Sequence, residues 1–76
     1  MSYMERKIKE FHTHIQSTDS NEWVITHNLG RRPIVNVFSV VDAVEVIVMP
    51  SQVEVVDLNV CKLVFNNPIS GSAEIF

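Results

Sequence analysis

Thirteen valines and seven isoleucines, set against only two alanines (Ala43 and Ala73), constrain this chain more than any motif in it. β-Branched side chains are stiff at χ1 and pack better on a pleated sheet than along a helix. The chain therefore reads as all-β. Its size limits how well these residues can be hidden. A domain of 76 residues buries only about 60% of the surface its unfolded chain exposes. Cys61 is the only cysteine, which excludes an internal disulfide and a cysteine-based metal site. Hydrophobic residues make up 46% of the chain and charged residues 20%. Self-association, or docking on a larger body, is the remaining way to cover so much apolar surface.

Turn-forming residues divide the chain at intervals of about 8–12 residues, the spacing of a sandwich or barrel. The pattern predicts strands over 10–17, 21–27, 34–41, 44–49, 52–56, 60–65 and 72–76. The expected fold is a small antiparallel β-sandwich of about seven short strands. Residues 1–10 form an N-terminal arm or frayed tail, and residues 11–76 form the domain. In the first strand Phe11, Thr13 and Ile15 point one way, while His12, His14 and Gln16 point the other. The stretch from Trp23 to Phe38 organises the rest, as a strand, a polar corner and a second strand. Trp23, Ile25 and His27 share a face. Leu29 follows them inward as a plug, and Gly30 and Pro33 shape the corner. These six residues are the expected structural lock. His27 then needs hydrogen-bond partners, most simply backbone groups of the corner from Asn28 to Pro33.

Charge and motif content exclude several functions. Six basic residues against nine acidic give a net charge of −3, too few and too scattered for nucleic acid as the main partner. No apolar run reaches membrane-spanning length, and the opening residues are polar and mixed in charge, so neither a membrane span nor a signal peptide is expected. The carboxylates are dispersed with no marked acid–base pair. There is no nucleophile elbow, P-loop, dinucleotide fingerprint or calcium loop. An enzyme is not expected, nor is a cofactor. Cys61 alternates with Leu63 and Phe65 and reads as a core thiol.

Two features retain some potential. His12 and His14 share one face of a strand. Two imidazoles are too few for a metal site within one chain, but three copies on a threefold axis would bring six together. Otherwise they are solvent-facing or hydrogen-bonded strand residues. The second feature is the lack of alternation from Val35 to Val48. Strands covered on both faces lose the alternation of half-buried ones, and a domain this small covers only inner faces. An outer face around Val40, Val44, Val46 and Val48 is therefore expected to meet another chain. Arg31 and Arg32, at the tip of the corner, either pair with an acidic patch on that partner or are solvated.

The residues now assembled resemble a small β module recurrent in virion proteins of tailed bacteriophages. The pattern is Gln16, Trp23, Ile25, His27-Asn28-Leu29-Gly30, Pro33, Val35 and Val37. It continues with Val48 and Pro50, Asp57 and Asn59, Phe65, Pro68, Ser70-Gly71 and Ala73. It looks like the modules of tail-fibre, head-fibre and capsid-decoration proteins, and covers the chain from Phe11 to Phe76. The resemblance implies a non-enzymatic virion component, made in the host cytoplasm. Its partners would be other virion proteins (capsid, neck or tail) and further copies of itself. A chain this short points to a capsid decoration or cement protein, or a neck or tail adaptor. The alternative is a host-recognition fibre tip that binds carbohydrate through Arg31, Arg32 and loop Asn and Asp residues.

Overall fold

Two long strands, β1 (His12–Thr26) and β5 (Val60–Ile75), run antiparallel and carry the whole architecture. The computed structural model describes residues 10–76, so all of the expected arm except Glu10 lies outside the described residues. Three shorter strands complete one five-stranded antiparallel sheet: β2 (Val35–Val41), β3 (Val44–Val48) and β4 (Gln52–Asp57). No helix occurs among the described residues, and so none is long and apolar enough to cross a membrane.

The sheet bends across its middle. The register between β1 and β5 shifts between Gln16 and Ser20 and again between Ser20 and Glu22. On the near side of this bend, Glu22–Thr26 pairs with Val60–Val64, and β4 takes the other edge of β5. On the far side, His12–Gln16 pairs with Gly71–Ile75, and β2 and then β3 follow. The rings of His14 and Trp23 lie 5.8 Å apart, although nine residues of straight strand would separate them by about 30 Å. The two halves therefore fold toward each other, and one core forms between them. Trp23, Ile25, Cys61, Leu63 and Phe65 come from one side or the bend, Val37, Ala73 and Ile75 from the other, and Leu29 from the corner.

The seven expected strands become five for one reason. The turn formers at Ser17–Asn21 and Asn66–Gly71 lie opposite each other and produce a shared bend, not two chain reversals. The ladder between the same two strands resumes beyond it. Trp23 fastens this bend, because its Nε1–H reaches both the Ser20 carbonyl, 3.1 Å away, and the Ile69 carbonyl, 3.2 Å away. The true reversals are tight. Asp42 and Ala43 adopt φ of 50° and 65° between β2 and β3, the left-handed pair that matches strand twist in a two-residue hairpin. Between β4 and β5, the Asn59 N–H donates to Asp57 Oδ1 at 2.7 Å.

Candidate functional site

The corner after β1 closes one end of the core. His27 is fully buried, and its Nδ1 accepts the Leu29 N–H at 3.1 Å, which places the ring proton on Nε2. Asn59 holds the corner from the β4–β5 turn. Its carbonyl accepts the N–H groups of His27 and Asn28, and its Oδ1 accepts that of Gly30 at 2.9 Å. Asn28 and Gly30 both have positive φ, 57° and 68°. Pro33 is half-buried and leads into Ile34, which exchanges two backbone hydrogen bonds of 2.8 Å with Phe76 and so extends the β2–β5 ladder. The N–H groups of His27, Asn28, Leu29 and Gly30 all find partners within the chain, which fixes the corner against the β4–β5 turn. Asn59→Ala removes the Gly30 contact while keeping the carbonyl contacts. It is expected to cost about 1 kcal/mol in urea unfolding, the usual worth of one hydrogen bond.

Burial raises the pKa of the Cys61 thiol above its ordinary value. It sits in the core opposite Ile25 and Val55, and its neutral form is the one the fold favours. Lys62 projects from the outer side of the same half, 3.0 Å from Glu54 and 3.8 Å from Glu22. The hydrogen bond to Glu54 and the two carboxylate charges raise its pKa. This favourable pairing is present at neutral pH and is lost as pH rises through that raised value.

His12 and His14 do share a face, and it is the half-buried inner one, across the ladder from Ile75 and Ala73. His14 Nε2 lies 2.9 Å from Gln16 Oε1, and its ring leans on Trp23. Among the described residues no group of three or more His, Cys, Asp or Glu is placed to hold a metal ion. Any further ligand for this pair would have to come from another molecule.

The four valines expected to form one partner surface fall on two faces. Val44, Val46 and Val48 stand opposite Val41, Ser39 and Val37, so they share the inner side with the buried Val37. Val46 and Val48 are half-buried there, whereas Val44, at the hairpin tip, is exposed. Val40 alone points outward, opposite Glu45. Arg31 and Arg32 are both exposed, and Arg31 is tied to the chain through a 2.6 Å bond from its Nη2 to the Glu10 carbonyl.

The face that parity and register assemble is the outer side of the four-stranded half. One row crosses all four strands as Ile15, Ser72, Phe38 and Ile47. A second row places Phe11 beside Phe76, with ring centroids 6.0 Å apart, and Phe76 beside Ile34. Ile15 is 68% exposed, Ile34 and Val40 69%, and Ile47 68%. A shallow depression of about 190 Å³ lies on this face between Phe38, Val40, Glu45, Gly71 and Ser72. A second groove of about 230 Å³ opens at the side of the core, and Val35, Val37, Val48, Met49, Pro50 and Val53 give it apolar walls. Sequence reading missed Phe11, Ile15, Ile34 and Ile47 as surface residues. The missing signal was the parity of β2 relative to a buried Val37, which only cross-strand register supplies.

Compared with protein-family models, curated proteins and solved structures, the chain matches none.

Proposed function

We propose that this chain is a non-enzymatic structural component of a tailed-phage virion, a capsid decoration or cement protein or a neck or tail adaptor, acting through symmetric protein–protein contacts. The observation that carries the reading is the outer face of the four-stranded half. Ile15, Ile34, Val40 and Ile47 stand exposed there, with Phe11 and Phe76 beside them at the edge. Clustered exposed apolar side chains of this kind mark contact surfaces in soluble proteins. The resemblance of the corner and turn motifs to phage virion modules supplies the setting. No particular observation favours the carbohydrate-binding alternative. Arg31 is engaged with the chain's own backbone, and the groove at the side of the core has mainly aliphatic walls.

Two measurements test the reading. Sedimentation of the purified protein should show an assembly larger than one chain. Ile47→Glu, at an exposed site, should shift it toward single chains while leaving the thermal transition within a few degrees of the parent. Val46→Glu makes the contrast. It places a carboxylate on the inner side, opposite Ser39, and should lower stability instead. Quantitative mass spectrometry of purified particles should then find the chain at a copy number fixed relative to a major virion protein. Its absence from such particles would overturn the assignment to a virion.

A further inference from the structure

We propose that the outer face of the four-stranded half is covered by the same face of a second copy of this chain, with the two β2 strands running antiparallel about a twofold axis at the level of Val37. The inference rests on the reading of that face as a contact surface and names its occupant and orientation.

The order of side chains along β2 is the first argument. Arg32, Ile34, Asn36, Phe38, Val40 and Asp42 alternate with Val35 and Val37, which turn to the core. Pro33 keeps Arg32 extended, so Arg32 continues the outward parity of Ile34. Turning this row end for end about Val37 sets Arg32 against Asp42, Ile34 against Val40, and Asn36 against Phe38. Each pair then occurs twice, as a twofold contact requires. Ile34 and Val40 are both 69% exposed in the single chain, so each gains cover from the other.

Charge complementarity selects this orientation. Arg31 is tied to the Glu10 carbonyl, which leaves Arg32 as the cation free to reach outward at one end of the row. Asp42 stands at the other end, and Glu45, opposite Val40 on β3, lies beside it. Arg32, Asp42 and Glu45 are exposed and form no ion pair among the described residues. Antiparallel docking brings the basic end of each copy to the acidic end of the other. Parallel docking would place like charges together at both ends, which opposes association. On β5 the same rotation sets Glu74, opposite Asn36, over Ser72, opposite Phe38, whose hydroxyl can donate to the carboxylate. The size also suits a second copy. Four strands about 4.8 Å apart and about 30 Å long give about 600 Å² on each copy, or about 1,200 Å² in total. That is the lower end for a specific interface, so the dimer should dissociate on dilution.

Sedimentation equilibrium of variants of the whole chain tests the pairing. Arg32→Glu and Asp42→Lys should each raise the dimer dissociation constant about tenfold, because two attractive contacts become two repulsive ones. An equimolar mixture of the two variants should recover the parent's association. In the mixed dimer the introduced acid meets the introduced lysine, and the native Arg32 of one chain meets the native Asp42 of the other. Asp42→Asn suits the left-handed backbone at this position (φ 50°) and guards against a hairpin disturbed by lysine. It should weaken the dimer about threefold. A short bismaleimide should link Ile34→Cys protein to Val40→Cys protein in a mixture and link neither to itself, with the buried Cys61 unmodified. Dissociation constants unchanged in both Arg32→Glu and Asp42→Asn, or self-linking in place of mixed linking, would overturn this arrangement, as would a parent chain that stays single at high concentration. Ile47→Glu separates that failure from failure of the underlying reading. Association that ignores the charge variants but is lost in Ile47→Glu leaves the face standing as a contact surface and removes only this pairing. Association insensitive to Ile47→Glu as well removes the face.

Discussion

Trp23→Ala is expected to remove about 3–5 kcal/mol of folding stability, a large share of what a chain of this size has. Trp23 is fully buried, packs its ring 4.9 Å from Phe65 and 5.8 Å from His14, and touches both halves of the bent sheet. Removing a buried aromatic side chain costs about 3–5 kcal/mol, mostly through lost burial and the cavity left behind. A chain of 76 residues has a total stability of about 4–11 kcal/mol at the usual value per residue. Few buried residues are left to compensate. Urea unfolding followed by far-UV circular dichroism measures the change without relying on the tryptophan itself. Trp23→Phe separates two parts of the effect. It keeps most of the ring's packing and removes the N–H that reaches the Ser20 and Ile69 carbonyls. It should cost about 1–2 kcal/mol, since those half-exposed carbonyls recover water in part. A Trp23→Ala protein that still unfolds within 1 kcal/mol of the parent would contradict the packing of the two halves through this residue.

Gly71→Ala is expected to be nearly as damaging, for a different reason. Gly71 has φ of +151°, a backbone conformation that residues with a Cβ rarely adopt. A Cβ there would overlap the carbonyl oxygen of Phe38 and approach Ser39 Cα to 3.2 Å. Neither strand is free to yield. Gly71 is paired with Gln16 on one side, and the Ser39 hydroxyl donates to the Ser70 carbonyl at 2.8 Å on the other. Backbone strain and overpacking each cost about 1–3 kcal/mol. The loss should appear in urea titration and as faster amide exchange in β2 and β3, whose attachment to β5 passes this point. Gly30→Ala provides the comparison. Its φ is +68°, yet the nearest atom to an added Cβ is Asn59 Oδ1 at 4.0 Å, so only the left-handed backbone penalty of about 1 kcal/mol applies. Equal effects at the two glycines would contradict the close approach of β5 to β2.

Much of the local structure was legible beforehand. The Asp42-Ala43 reversal, the Asp57–Asn59 turn, and the inward parity of Trp23, Ile25 and His27 all follow from residue type and alternation within a few positions. Ser17–Asn21 and Asn66–Gly71 read in the sequence as two separate loops, whereas together they form one bend. A cluster such as Ser17–Asn21 announces that the backbone leaves the extended form, but it does not say whether the ladder resumes with the same partner. That depends on Asn66–Gly71, some fifty residues away in the chain, bending at the matching point. The face assignment failed for a related reason. Val44, Val46 and Val48 look the same as Phe38, Val40 and Ile47 in hydropathy. Only the pairing of Val37 with Val48 and Ala73 decides which set turns toward the core.

The sequence by itself determined the class of the fold, the positions of its tight turns and the inward parity of Trp23, Ile25 and His27. β-Branched content, turn chemistry and chain length act locally or in bulk, so they can be read without coordinates. Only the tertiary structure decided that two pairs of predicted strands are two continuous ones, that His12 and His14 face inward with His14 leaning on Trp23, and that Ile15, Ile34, Val40 and Ile47 share the outer side of a four-stranded half. Those facts are set by register. Shifting a strand by one residue exchanges its two faces, and register is fixed by long-range pairing that no single segment encodes.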